Sequence, residues 1–308
     1  MTLARATFAV ENYDLAATLA SGQTFRWRRV GAGWEGVVAA RWVRLRQGND
    51  TIDAQSAAGV EDWQWLRHYL QTEVDLRQIL ASFPDDPPMR DAVAACRGLR
   101  LLRQQPWECL ASFICSSTKQ IVQIQQIVAL LSRRFGEPVP VPPGTEPAWA
   151  FPTVERLAAA TEAELRQCKL GFRAPYLSLT ARKLAAGELD LARLPEMPLE
   201  EARAALLALP GVGAKIAECV LLFAGGFHEA FPVDVWIIKA LRELYFPRRR
   251  AKLPRLRDFT RRHFGPYAGY AQQYLFHYMR TARISAKVQL PATTCNFLRQ
   301  VHANPVRP

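Results

Sequence analysis

The stretch LALPGVGAKIAECVLLFAGG, residues 207–226, reads as helix, tight hairpin, helix. Ala202 to Leu209 favours a helix, Pro210 and Gly211 stop it, and Gly213 permits close backbone approach. Ile216, Cys219, Val220 and Phe223 then recur at i, i+3, i+4 and i+7, the spacing of one buried helical face. A Gly-Val-Gly turn between two helices leaves unpaired N–H groups at the start of the second, where the helix dipole favours a phosphate. Gly211, Val212 and Gly213 are therefore candidate phosphate-holding residues.

Lys215 falls in the first turn of that second helix, where a cation opposes the positive end of the dipole. Its amine suits either a phosphate contact or, unprotonated, nucleophilic attack on carbon. Further along, FPVDVW at 231–236 sets Asp234 among apolar neighbours just before another helix-like run, Trp236 to Leu244. A carboxylate there caps that helix. The intervening chain is long enough to return Asp234 to the mouth of the Lys215 helix, where it would stabilise charge or accept a proton. Capping and catalysis are compatible roles.

Outward from this core, the N-terminal stretch alternates at period two: Phe25 and Trp27 against Arg26 and Arg28, Val43 and Leu45 against Arg44 and Arg46, with a Gly31 to Gly33 turn between. This predicts an antiparallel sheet with one wet, basic face. From about Glu61 the spacing becomes helical and stays so to about Arg283. The fold class is α+β: a small N-terminal antiparallel β-sheet domain with an ending helix (1–85), then an all-helical body (86–283) containing the helix-hairpin-helix at 202–225, then a C-terminal tail (284–308) expected to be poorly ordered unless docked. EPVPVPPGTEP at 137–147 carries five prolines and forbids a continuing helix; it interrupts one body or separates two. PRRRAKLPRLR at 247–257 predicts a solvated basic loop.

The 308 residues carry 40 Lys plus Arg against 28 Asp plus Glu, a net charge of +12, which raises the odds of a polyanionic partner without selecting one. With 49% apolar residues the chain can bury a sizeable core, which excludes a wholly disordered basic tail. There is no charge-free apolar run of ~18 residues and no signal-peptide h-region, so a membrane partner is not expected and an intracellular location is. Six cysteines, without a CxxC pair or a Cys/His tetrad at zinc spacing, predict buried thiols and neither metal nor iron–sulfur cluster.

Six strings in order, SGQTFRW (21–27), RLLRQQPWECLASFICSS (100–117), KLGFRAPY (169–176), LPGVGAKIAEC (209–219), PVDV (232–235) and GPYAGYAQQYLF (265–276), resemble the 8-oxoguanine DNA glycosylases of the helix-hairpin-helix superfamily and span nearly the whole chain. The resemblance implies a bifunctional, cofactor-free, monomeric enzyme that takes duplex DNA containing a damaged base, excises an oxidised purine and nicks the strand by β-elimination. Lys215 matches the nucleophile that attacks C1′ and forms a Schiff base, and Asp234 matches the aspartate that supports the developing oxocarbenium charge. Extrusion of the base into a pocket is required, because the target atom is unreachable in the stack. Gly22 matches the glycine whose carbonyl accepts the N7 hydrogen of 8-oxoguanine. Gln272 matches the residue on its Watson–Crick edge, and Phe276 and Cys219 match those on its two faces. Phe172 matches the aromatic wedge and Arg173 an arginine that reads the orphaned cytosine.

The chain departs from that family at five positions. Thr118, Lys119 and Gln120 follow FICSS where consecutive asparagines are typical, Gln123 replaces a second cytosine-reading arginine, and Trp236 replaces a histidine near phosphate. These changes predict a weaker preference for cytosine opposite the lesion, with Lys119 restoring some grip on DNA. Two other readings stand beside this one: a monofunctional glycosylase for another damaged purine, which usually lacks the lysine, and a non-catalytic DNA-binding protein, which needs no base pocket.

Overall fold

The computed structural model describes residues 3–57, 59–248 and 251–288. Strands β1 (Ala4–Ala9), β2 (Arg28–Val30), β3 (Gly33–Val38), β4 (Arg41–Gln47) and β5 (Thr51–Ser56) form one antiparallel sheet in the order β1-β5-β4-β3-β2. One face buries Phe8, Val43, Leu45, Ile52 and Ala54 against helices α1 (Leu15–Ala20) and α2 (Gln64–Leu70), as alternation requires.

The other face is not the wet surface that the alternation predicts. Val37, Trp42 and Ala57 on it are buried with Val139, and Val141, Ala148 and Ala150 pack alongside. The proline-rich segment thus folds as a second, two-stranded hairpin, β6 (Pro138–Val139) and β7 (Ala148–Trp149), laid on the sheet. Its valines supply the apolar surface; its prolines rule out only a helix. Arg28 and Arg44 flank a buried Glu35, at 2.9 Å from Arg28 Nη2 and Arg44 Nε, so part of the basic face is neutralised internally.

Phe25 and Trp27 alternate without lying in a strand, because β2 begins only at Arg28. They bridge two cores instead. Phe25 meets Phe113 edge-on at 5.5 Å in the helical core, while the Trp27 indole donates to the Tyr69 hydroxyl at 2.9 Å in the sheet core.

The helices that follow are α3 (Leu76–Ala81), α4 (Pro87–Ala95), α5 (Pro106–Cys115), α6 (Ile121–Phe135), α7 (Val154–Ala158), α8 (Glu162–Gln167), α9 (Ala174–Ala185), α10 (Leu199–Leu207), α11 (Ala214–Val220), α12 (Val235–Ala240), α13 (Leu253–His263) and α14 (Ala268–Val288). A single apolar cluster joins residues from Leu76 to Leu275, with α5 buried along nearly its whole length. Residues 137–147 therefore interrupt one helical body. Single π-helical turns extend α11 over Leu221–Gly225 and α12 over Leu241–Tyr245. The basic run is in part helical: Leu253 to Arg257 opens α13, where Arg255 lies over Phe246 at 5.4 Å, while Arg249 and Arg250 lie outside the described residues. Helix α14 passes the expected boundary at Arg283 and runs to Val288; the rest of the expected tail, 289–308, lies outside the described residues.

Candidate active site

Gly22 is held from both sides. The buried Gln23 amide donates to Thr18 O at 2.9 Å and Arg100 O at 2.8 Å, its Oε1 accepts from Leu102 N at 2.8 Å, and Gln273 of α14 donates to Ser21 O at 3.0 Å. Gly22 itself has φ +81°, and a methyl on it would lie 2.5 Å from Ile121 Cδ1, 3.3 Å from Phe276 Cε1 and 3.4 Å from Arg280 Nη1. Only glycine fits there. The buried Gln272, one turn before Phe276 on α14, has an Oε1 without a hydrogen-bond partner. A buried acceptor left open in this way is costly unless a ligand completes it.

Lys215 is the second residue of α11. Its Nζ donates to Ser116 Oγ at 3.2 Å and lies 4.6 Å from the centre of the Phe113 ring, so α5 sets where the amine points. Cys219, one turn on, is buried and its thiol is pushed up to about 11 by that burial, against the pull of Lys215. Asp234 occupies the N-cap of α12, its Oδ1 accepting from Ile237 N at 2.8 Å, as expected from sequence. Burial pushes its carboxyl above the usual range; the N–H groups of Ile237 and Trp236 and the charges of Lys215 and Arg280 pull the other way. Lys215, Cys219 and Asp234 thus converge on one place without a direct Lys215–Asp234 ion pair. Trp236 sits half-buried in the first turn of α12.

Glu218, not singled out by the sequence, ties the two chemistry-bearing segments together. Its Oε1 accepts from Arg203 Nε of α10 at 2.6 Å, and its Oε2 accepts from Phe231 N at 2.9 Å, three residues before Asp234. Ser116 and Glu218 were both hidden because their partners are distant in sequence.

In the hairpin, Gly211 has φ +76°, Val212 buries its side chain, and Pro210 O accepts from the Thr180 hydroxyl of α9 at 2.8 Å. A methyl on Gly211 would lie 2.5 Å from Tyr176 Cβ. Tyr176, 43% exposed, thus stands beside the hairpin, an aromatic that the sequence reading did not single out, while the expected Phe172 is 55% exposed. Gly211→Ala should cost about 2 kcal/mol from the left-handed backbone and the displaced tyrosine, and should weaken duplex binding. Thermal unfolding and a binding titration check this; an unchanged Tm and affinity would contradict it.

Arg173 is buried, at 3% exposure. Its guanidinium donates to Leu170 O at 3.1 Å, to Thr118 Oγ1 at 2.7 Å and to Ser117 O, and stacks on Phe172 at 4.2 Å. Thr118 is exposed with φ +55°, and Lys119 follows it half-buried. Gln123 forms a capping box with Gln120 at the start of α6, its Oε1 accepting from Gln120 N at 3.1 Å. Arg173 and Thr118 are therefore coupled, while Gln123 is engaged in holding a helix end.

No group of three or more metal-ligating side chains occurs among the described residues, and none of their helices is long and apolar enough to cross a membrane. Residues 5–110 match the family model for the 8-oxoguanine DNA glycosylase N-terminal domain, and residues 111–262 match that for HhH-GPD superfamily base excision DNA repair proteins. The chain is 36% identical to the N-glycosylase/DNA lyase OGG1 of Arabidopsis thaliana, covering 85% of this chain and 76% of that one. It is 30% identical to a probable N-glycosylase/DNA lyase of Methanothermobacter thermautotrophicus, covering 88% and 95%. A Clostridium acetobutylicum 8-oxoguanine glycosylase/lyase, solved with double-stranded DNA containing cytosine opposite 8-oxoguanine, superimposes with a TM-score of 0.83 at 33% identity over 89% and 94% of the two chains. With the half-buried Lys215 and Asp234 and the buried Cys219 gathered at its helix-hairpin-helix, the chain belongs to the N-glycosylase/DNA lyase family of base excision DNA repair enzymes.

Proposed function

We propose that the chain excises 8-oxoguanine from duplex DNA and then nicks the strand at the resulting site. The observation that carries this reading is the convergence of Lys215, Cys219 and Asp234 beside a pocket wall of Gly22, Gln272 and Phe276. The flipped base enters between Cys219 and Phe276, and its polar edge completes the open Gln272 Oε1. The unprotonated Lys215 amine forms a bond to C1′ as the N-glycosidic bond breaks, its electron pair leaving with the base. Asp234, kept as a carboxylate, balances the positive charge that builds on the sugar. Ring opening gives the protonated Schiff base; loss of a proton from C2′ and departure of the 3′ phosphate oxygen then cut the strand. Phe172 fills the vacated stack, and the amides of Gly211 to Gly213 and the start of α11 hold phosphate.

A duplex with one 8-oxoguanine tests this directly. Wild-type protein is expected to release the base, nick the strand and form a covalent adduct on borohydride reduction. Release without nicking or adduct would favour a monofunctional glycosylase, and neither would remove the assignment.

Relaxed reading of the opposite base is part of the proposal. Arg173 must exchange its bonds to Leu170, Ser117 and Thr118 before it can reach a cytosine, and Gln123 offers no charge. A bidentate arginine contact discriminates by about 1–3 kcal/mol, so excision opposite A, G and T is expected within about tenfold of that opposite C. Preference for cytosine above about 100-fold, with the same bidentate contact as reference, would sink the idea.

A further inference from the structure

Helix α14 carries a third residue on the stripe that holds Gln272 and Phe276. Arg280 follows at the same four-residue spacing, so all three share one face. Its Nη1 is buried without a hydrogen-bond partner, and among the described residues the side chain makes no ion pair; the guanidinium lies over the Phe276 ring at 5.4 Å. Nη1 lies 3.4 Å from the methyl position of Gly22, on the pocket side, and the group is close enough to Asp234 for each charge to favour the other. A cation buried without a carboxylate in contact is an expensive arrangement, and an arginine keeps its charge there. It calls for an acceptor that the described residues do not supply.

The layout of the stripe indicates which acceptor. Eight residues of helix separate Gln272 from Arg280, about 12 Å along the axis. Asp234, with Lys215, marks the sugar end of the site, and Arg280 is the stripe residue that interacts with Asp234. A purine lying on Phe276 therefore presents its six-membered ring toward Gln272 and its five-membered ring, which bears the sugar, toward Arg280 and Gly22. In an oxidised purine the five-membered ring carries a carbonyl oxygen at C8; in guanine that position is a C–H.

We propose that Arg280 is a specificity-determining pocket residue that donates a hydrogen bond from Nη1 to the C8 carbonyl oxygen of the flipped base. This deepens the proposed function and rests on its assignment of the base pocket. An undamaged guanine would leave the guanidinium facing a C–H, and a site built around such a donor rejects the analogue lacking the acceptor. The same contact supports the negative charge that leaves with the base when the glycosidic bond breaks.

The test compares two substrates on the same protein: a duplex carrying 8-oxoguanine and a duplex carrying a preformed abasic site, which presents no base to the pocket. For Arg280→Met, excision is expected to fall at least about 100-fold further than abasic-site nicking, the scale of a lost charged donor in a buried site. Arg280→Lys, which restores one donor and the charge, should recover part of the loss. In a Lys215→Gln background, Arg280→Met should also erase most of the binding preference for 8-oxoguanine over guanine duplex. Equal losses on both substrates, or excision within about threefold of wild type, would overturn the inference while leaving the proposed function standing. Wild type that nicks abasic DNA but leaves 8-oxoguanine in place would overturn both.

Discussion

Lys215→Gln is expected to abolish borohydride-trapped adducts and to lower excision of 8-oxoguanine by about 10³-fold or more, the order lost when a covalent nucleophile is removed. The substitution isolates chemistry from folding. Glutamine keeps an uncharged polar side chain facing Ser116 Oγ, which the amine contacts at 3.2 Å, and Lys215 makes no ion pair whose loss would strand a carboxylate in contact with it. Stability is accordingly expected to change by no more than about 0.5 kcal/mol. Undiminished trapping in the variant would place the nucleophile elsewhere. Loss of trapping and nicking with excision intact would instead separate base removal from strand cleavage, the behaviour of a monofunctional enzyme.

Asp234→Asn is expected to act in opposite directions on activity and on stability. Excision should fall by about 10²–10³-fold, because a preorganised charge at the developing cation is lost. The fold should gain. Burial raises the Asp234 carboxyl in the folded protein, so the folded state takes up the proton more readily than the unfolded chain does. The ionised form therefore costs stability at every pH above that raised value, and the cost disappears as pH falls through it. Asparagine removes the charge and still caps α12 by accepting from Ile237 N. A rise of about 2 °C in Tm at neutral pH, for roughly 1 kcal/mol, is expected. The same shift sets the acid limb of the wild-type rate profile: activity should decline at a pH above the ordinary carboxylate range, and no such limb should remain in the residual activity of the variant. A lowered Tm, or an unchanged limb, would contradict this account.

Local rules made part of this molecule legible. The helix-hairpin-helix follows from Pro210, Gly211 and the apolar spacing after Gly213, and the Asp234 cap follows from a carboxylate before a helix-like run. Each of these is decided within a few residues. What stayed hidden depends on partners far along the chain. Arg173 and Ser117 lie 56 residues apart, Lys215 and Ser116 lie 99 apart, and neither contact leaves a periodic trace. Alternation at Phe25 and Trp27 was misleading for a related reason: a segment running between two cores buries alternate side chains just as a strand does, though into different neighbours. The valines between the prolines of 137–147 likewise acquire meaning only from Trp42 and Val37 across the sheet. Arg280 stayed hidden because an arginine on a helix is ordinarily solvated, and only its packing shows Nη1 buried without an acceptor among the described residues.

The double grip of Glu218 has a thermal consequence. One carboxylate fastens the helix that carries the amine to the extended segment that leads into Asp234, and Arg203 anchors that carboxylate in turn to the preceding helix. Vibration of the 227–233 loop is thereby decoupled from the gap between Lys215 and Asp234, much as a tie-rod keeps two bearings aligned in a moving frame. Heat cannot blunt the chemistry gradually by letting that gap wander; it must first melt the helix-hairpin-helix itself, so loss of activity and loss of fold should share one temperature.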